Sequence, residues 1–214
     1  HDSAWHTAFD LHDAGCKVAA IVDTRSDIAP ALMQSAMSRQ IETMRPKLAA
    51  LCDQLIDDML AHGECDLLTA YGTPIPVIAI AQLLGVPVEM KDWLLSWSHT
   101  MVQMYMLGHT REQELEAVRA TQEFVAYLRE LVAERRAAPA NDLITILINA
   151  EEQGDKLSED ELISSCILLL NAGHEATVNV IGNGLQALLS HPAQWRALVK
   201  ANGDPRLVQS AVEE

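Results

Sequence analysis

A mainly α-helical fold is what this sequence predicts, with one long central helix at about 159–190. A short helix–strand–helix fragment precedes the helical part. Three observations carry this. From residue 40 onward, apolar residues recur at helical spacing almost without a break. Two capping boxes mark helix starts, Thr110 with Gln113 and Ser158 with Glu161. After the second box no strong stop occurs before His191-Pro192, so the helix should hold about 32 residues and run about 48 Å at 1.5 Å per residue.

The elements follow in order. Ala4 to His12 carry a helical pattern that stops at Gly15, a residue suited to a helix C-terminus. Val18 to Val22 form a short unbroken apolar run, as in a strand buried on both faces, and it ends in Asp23. Pro30 opens a second helix, Ala31 to about Ile41. This style of sequence ends near residue 38, which divides the chain into a helix–strand–helix fragment, 1–38, and a helical domain, 39–214. A helix from Ile41 to His62 aligns Met44, Leu48, Leu51, Leu55, Ile56 and Met59, with Pro46 in its first turns and Gly63 at its end. Cys65 to Leu68 read as a brief extended segment. Pro76 begins a short helix through Leu84, stopped by Gly85 and Pro87. Residues 89–106 form a helix rich in Trp and Met, and a charged helix runs from Thr110 to about Arg136. Asn141 or Asp142 caps the next helix, which ends before Gly154. After the long helix, Pro192 starts one helix and Asp204-Pro205 the last.

Composition narrows the functional classes. The 214 residues are 49% hydrophobic, enough for a sizeable core in one large domain or two small ones. Lys and Arg total 15 against 30 Asp and Glu, a net charge of −15. Such a chain repels phosphate backbones and anionic lipid, which argues against nucleic acid and membrane partners. No apolar run reaches the roughly 20 residues of a membrane span. The opening His1-Asp2-Ser3 is neither a signal peptide nor an initiator Met, the start expected of a sequence that begins within a gene. Cys16, Cys52, Cys65 and Cys166 are scattered, without C-x-x-C or zinc spacing. They read as reduced thiols in a cytoplasmic protein, and no metal site is expected.

The long helix holds the candidate chemistry. Gly173, Gly182 and Gly184 lie inside it, and each costs up to about 1 kcal/mol relative to Ala. Retained glycines imply close approach of another body. That body is either a neighbouring helix or a flat ligand in a groove at Ala172-Gly173. Glu175 has no Lys or Arg three or four residues away. It reads either as a solvated carboxylate or as a proton-handling acid facing a pocket, with His174 and Thr177 able to extend a polar path.

Ala172-Gly173-His174-Glu175-Ala176-Thr177, followed by Val178-Asn179, resembles the central helix of bacterial cytochrome P-450 monooxygenases. Further segments agree. Glu42-Thr43-Met44-Arg45-Pro46-Lys47-Leu48 resembles the helix after the family's haem-contacting region. Pro74 to Ile78 through Leu83 to Pro87 resembles its next helix, and His191 to Trp195 the segment after the central helix. Ala211-Val212-Glu213-Glu214 resembles the start of its E-x-x-R helix. The resemblance covers about 40–214. It implies a haem cofactor and insertion of one oxygen atom from O2 into a small apolar organic substrate. Electrons would come from a reductase or ferredoxin partner. It implies that Ala172 and Gly173 line the oxygen-binding face of the haem and that Glu175 is the acid of an acid–alcohol pair that delivers protons there. Ala176 stands where the family usually has Thr, so proton delivery would need Thr177, ordered water or a substrate hydroxyl. Leu168 and Asn171 sit where family members contact substrate, and the helices at 89–106 and from 110 would roof the pocket.

The sequence also departs from the pattern. The family's haem-propionate Arg and His, expected just upstream of 40, are missing. The E-x-x-R Arg and the Cys-ligand loop lie beyond residue 214, and none of the four cysteines sits in such a loop. The chain alone is therefore expected to be incapable of turnover. An incomplete domain is also expected to expose Leu170, Ile181, Leu185 and Leu188 on the long helix, and so to be aggregated or molten. Residues 1–38 weakly resemble a dinucleotide-binding segment of the sarcosine oxidase α subunit of bacteria, with Asp23 at the ribose-binding strand end. The glycine-rich phosphate turn is absent, which argues against binding. Two alternatives to the monooxygenase reading follow: a non-enzymatic helical interaction module, and a dinucleotide-dependent oxidoreductase fragment.

Overall fold

The computed structural model describes residues 28–152, 157–201 and 203–213. The helix at Ala4–His12, the strand at 18–22 and Asp23 lie outside the described residues, and so does most of the 1–38 fragment. Among the described residues there are helices and no strand. They are α1 (Ile28–His62), α2 (Pro74–Leu84), α3 (Lys91–Val102), α4 (Arg111–Ala137), α5 (Leu143–Glu152), α6 (Glu159–Ser190), α7 (Pro192–Ala201) and α8 (Pro205–Glu213).

Four local expectations change. The two helices expected at 31–41 and 41–62 are one helix of 35 residues, which runs through 38–39 without a break and keeps Pro46 inside it. Between Pro30, in its first turn, and Pro46 the chain is mostly good helix formers and has no glycine, so nothing nucleates a stop. The segment expected to be extended at Cys65–Leu68 instead turns into a π-helical turn, Leu68–Gly72. Asp66 drives this: its carboxylate accepts from the Thr69 amide at 2.8 Å, and its carbonyl accepts from the Ala70 amide at 2.9 Å. α2 begins at Pro74 rather than Pro76, since proline at the first helical position gives up no hydrogen bond. The helix expected over 89–106 is α3 flanked by two single 3-10 turns, Val88–Met90 and Gln103–Tyr105.

Both capping boxes form as the spacing predicts. Thr110 accepts from the Gln113 amide and Ser158 from the Glu161 amide, with the return bonds also made. α6 spans 32 residues, Glu159–Ser190. Its acidic first turn meets two arginines of α4. Arg136 pairs with Glu159 at 2.7 Å and Arg129 with Asp160 at 3.1 Å, tying the start of α6 to that helix.

The core lies between α2, α3, α4, α5 and the first half of α6. Ala81, Leu84, Leu94, Phe124, Leu128, Val132, Ile144, Leu162 and Leu170 are fully buried there. Trp97 stacks on Phe124 at 5.1 Å, and its indole N–H donates to Glu123 Oε2 at 3.0 Å. A polar clasp closes the α2 end. Gly85 ends α2 at φ 78°, a left-handed conformation that favours glycine. Arg135 donates to the Gly85 carbonyl at 2.8 Å and to the buried carboxylate of Asp142. Asp142 also accepts from the Thr145 amide at 2.8 Å, so Asp142 rather than Asn141 caps α5.

Burial along α6 is uneven. Leu162, Ile163, Cys166, Leu170 and His174 are buried, and no later residue of α6 is. Leu170, expected to be exposed, is fully buried, because α2 to α5 already surround this half of the helix. Ile181, Leu185 and Leu188 are partly exposed. No described helix is long and apolar enough to cross a membrane.

Candidate functional site: the open face of the central helix

A helix advances about 100° per residue. On α6 that places Leu168, Ala172, Glu175 and Ala176 within about 100° of one another, on the side away from Leu170. Leu168 is 55% exposed. Ala172 and Ala176 are exposed and Glu175 is half-buried. Four of the singled-out residues thus share one open face, a narrow apolar stripe with a single acid at its edge. Glu175 makes no hydrogen bond or ion pair within the described residues.

The remaining candidates sit elsewhere on the helix. Gly173 is turned toward α2: a Cβ added there would lie 3.1 Å from Ile80 Cδ1. Close helix packing is thus what this glycine serves, and the Ala172-Gly173 pair is divided between an open and a packed side. Gly182 is similar, with Leu68 Cδ2 2.7 Å from an added Cβ, whereas Gly184 faces open space. Thr177 lies on the packed side, where its hydroxyl donates to the Gly173 carbonyl at 2.7 Å. It does not share a face with Glu175. Asn171 faces α3. Its side-chain amide donates weakly to Met101 Sδ at 3.9 Å, while its carbonyl oxygen is buried without a partner.

His174 is the most enclosed polar group of α6, 1% exposed, and neither ring nitrogen has a hydrogen-bond partner. Burial, aided by the neighbouring His99 ring at 5.3 Å, pushes its pKa down to about 4. It is therefore neutral near pH 7. The sequence did not pick out His99, Met101 or Ile80. Met101 and His99 do lie in the Trp/Met-rich helix that the sequence marked, but which α6 residues they would meet carries no periodic signal.

Leu168, Ala172 and Ala176 are small or apolar and leave their stripe open. No described cysteine is on that stripe. Cys166 points into the core, where burial pushes its thiol up to about 12, and Cys52 and Cys65 belong to α1 and the turn after it. The described residues fit one face of a haem and offer no thiolate to its iron.

A helical domain threaded by one central helix, with a small-residue face left open beside an unpaired acid, is an arrangement suited to a buried planar cofactor. Comparison with known proteins gives that class a family. The family model of cytochrome P-450 matches residues 80–200. The chain belongs to the cytochrome P-450 family, whose cofactor is haem. It is 39% identical over 183 residues to cytochrome P-450 107B1 of Saccharopolyspora erythraea, covering 86% of this chain and 43% of that protein. It is 38% identical over 177 residues to vitamin D(3) 25-hydroxylase of Pseudonocardia autotrophica, covering 82% of this chain and 41% of the relative. Among solved structures, a myxobacterial cytochrome P-450 in complex with myristic acid superposes with a TM-score of 0.75 at 42% identity, over 86% of this chain and 44% of that one. The chain therefore spans less than half the length of the relatives it matches.

Proposed function

We propose that this chain is the central helical part of a haem-dependent monooxygenase that inserts one oxygen atom from O2 into a small apolar organic substrate. The observation that carries this reading is the open stripe of α6, Leu168–Ala172–Ala176, with unpaired Glu175 at its edge. Haem, when bound, would supply dioxygen activation. Ala172 and Ala176 would let a flat ring lie close to the helix, because neither side chain extends beyond a methyl group. Gly173 contributes indirectly, by letting α2 pack against α6 and fix the helix in place.

Glu175 is the proton-handling group of this reading. With Ala176 beside it there is no neighbouring alcohol, and Thr177 is turned to the packed side with its proton held by the Gly173 carbonyl. Protons would pass through ordered water or a substrate hydroxyl. Leu168 offers an apolar contact to substrate, and the unpartnered carbonyl oxygen of Asn171 would accept a hydrogen bond from a substrate donor. Electrons would come from a reductase or ferredoxin. The chain alone would not turn over, since none of its four cysteines sits in the family's Cys-ligand loop. The three described cysteines are free, which supports a reducing, cytoplasmic setting.

A chimera tests the reading. Residues 40–214 replace the matching segment of the Saccharopolyspora relative, and the product is titrated with haem, reduced and exposed to CO. A thiolate-type Soret spectrum is expected. Glu175→Gln should leave that spectrum intact and slow turnover by about 10²–10⁴-fold. A chimera that binds haem yet is indifferent to Glu175→Gln would sink the assignment. The exposed apolar residues Trp195, Val199 and Val212 of α7 and α8 favour a second reading, a helical interaction module. A folded chimera without haem uptake would support it.

A further inference from the structure

The seam between α3 and α6 holds polar groups that the proposed reaction does not use. Both His174 nitrogens are buried there without a hydrogen-bond partner. Leaving such groups dry and unpaired is costly. The His99 ring stands beside His174, with ring centres 5.3 Å apart and planes inclined at 52°. Its own residue is exposed, so the pair has a solvent side.

We propose that His99 and His174 together bind one divalent transition-metal ion of the zinc–nickel–copper type, with water completing its coordination. Two imidazoles that share one ion at 2.0–2.1 Å per nitrogen in tetrahedral geometry hold their ring centres about 5 Å apart. The observed separation meets that condition. Imidazole nitrogen suits these metals, whereas Mg2+ and Ca2+ prefer oxygen. The ion enters from the His99 side, because His174 is enclosed. Among the described residues no third His, Cys, Asp or Glu joins the pair in a group that could hold a metal ion, so the proposed site draws on these two side chains alone. Its consequence is mechanical: the ion pins α3 to α6 one turn from the Asn171–Met101 contact. It does not depend on the haem reading.

Equilibrium dialysis of the full chain against NiCl2, and separately CuCl2, tests the site. Other histidines, among them His1, His6 and His12, provide a background that variants subtract. The wild type should hold one more tight ion per chain than His99→Ala or His174→Gln, with affinity at the seam falling by at least about tenfold in either variant. His109→Ala should match wild type. The bound ion should also raise the thermal midpoint of the wild type and leave that of His99→Ala unchanged. If His174→Gln fails to fold, His99→Ala decides, since that residue is exposed. Equal stoichiometry and equal affinity in wild type and His99→Ala would overturn the proposal.

Discussion

The two halves of α6 share one helix and live in different surroundings. Up to His174 one side of the helix is covered: Leu162, Ile163, Cys166, Leu170 and His174 pack into a core built by α2 to α5. Beyond it, Ile181, Leu185 and Leu188 are only partly covered, Leu189 is 61% exposed, and α7 has no buried residue. Both halves carry apolar residues at helical spacing. Periodicity makes a face, and burial depends on whether other elements reach that face. The proposed oxygen-handling stripe sits at the junction, where the helix is anchored on one side and open on the other.

Substitutions of equal chemistry in the two halves should separate them most clearly. Leu170→Ala should cost about 2–5 kcal/mol by urea unfolding, because it opens a cavity among fully buried neighbours. Leu189→Ala should cost no more than about 0.5 kcal/mol. Equal costs would mean that the halves are not different, and the absence of a cooperative transition in wild type would bear out the molten state expected from the sequence.

Acid should act on the anchored half next. His174 has its pKa lowered from 6.5 to about 4 in the folded chain. Between those values the unfolded chain binds the proton and the folded chain does not, so stability falls as pH drops from 6.5 toward 4. The full loss from this residue is on the order of 3 kcal/mol. In metal-free buffer, His174→Gln should flatten that part of the stability-versus-pH curve. An unchanged slope would show that the ring is hydrated.

Gly85→Ala should cost about 1–3 kcal/mol, since alanine is strained at φ 78° and its methyl would meet the Asp142 carboxylate. Gly184→Ala, with open space around it in the second half of α6, should be neutral or stabilising by up to about 1 kcal/mol. The smallest test is chemical. Exposed Cys65 should react with a thiol reagent in the folded chain, while Cys166 should stay unmodified until denaturant is added. Fast labelling of Cys166 would place an opening motion in the half described as anchored.

Local signals in the sequence reached far. Ser158, Glu161 and the His191-Pro192 stop set both ends of α6, because caps and proline act within one turn of the residue that carries them. Thr110 with Gln113 set the start of α4 in the same way. The helix start expected near Ile41, with Pro46 in the first turns, was misleading: helix-forming residues on both sides kept α1 continuous. At the proposed site, helical spacing alone puts Leu168, Ala172, Glu175 and Ala176 on one face, and their residue types suggested the chemistry. That Gly173 faces Ile80 and that His174 meets His99 were decided by how α2 and α3 cross α6. Those contacts join residues 70 or more positions apart, and no short-range pattern encodes them. The sequence by itself determined where the capped helices α4 and α6 begin and which residues share a face. Only the tertiary structure decided which faces are covered, because burial is a property of the neighbours that arrive and not of the helix that waits for them.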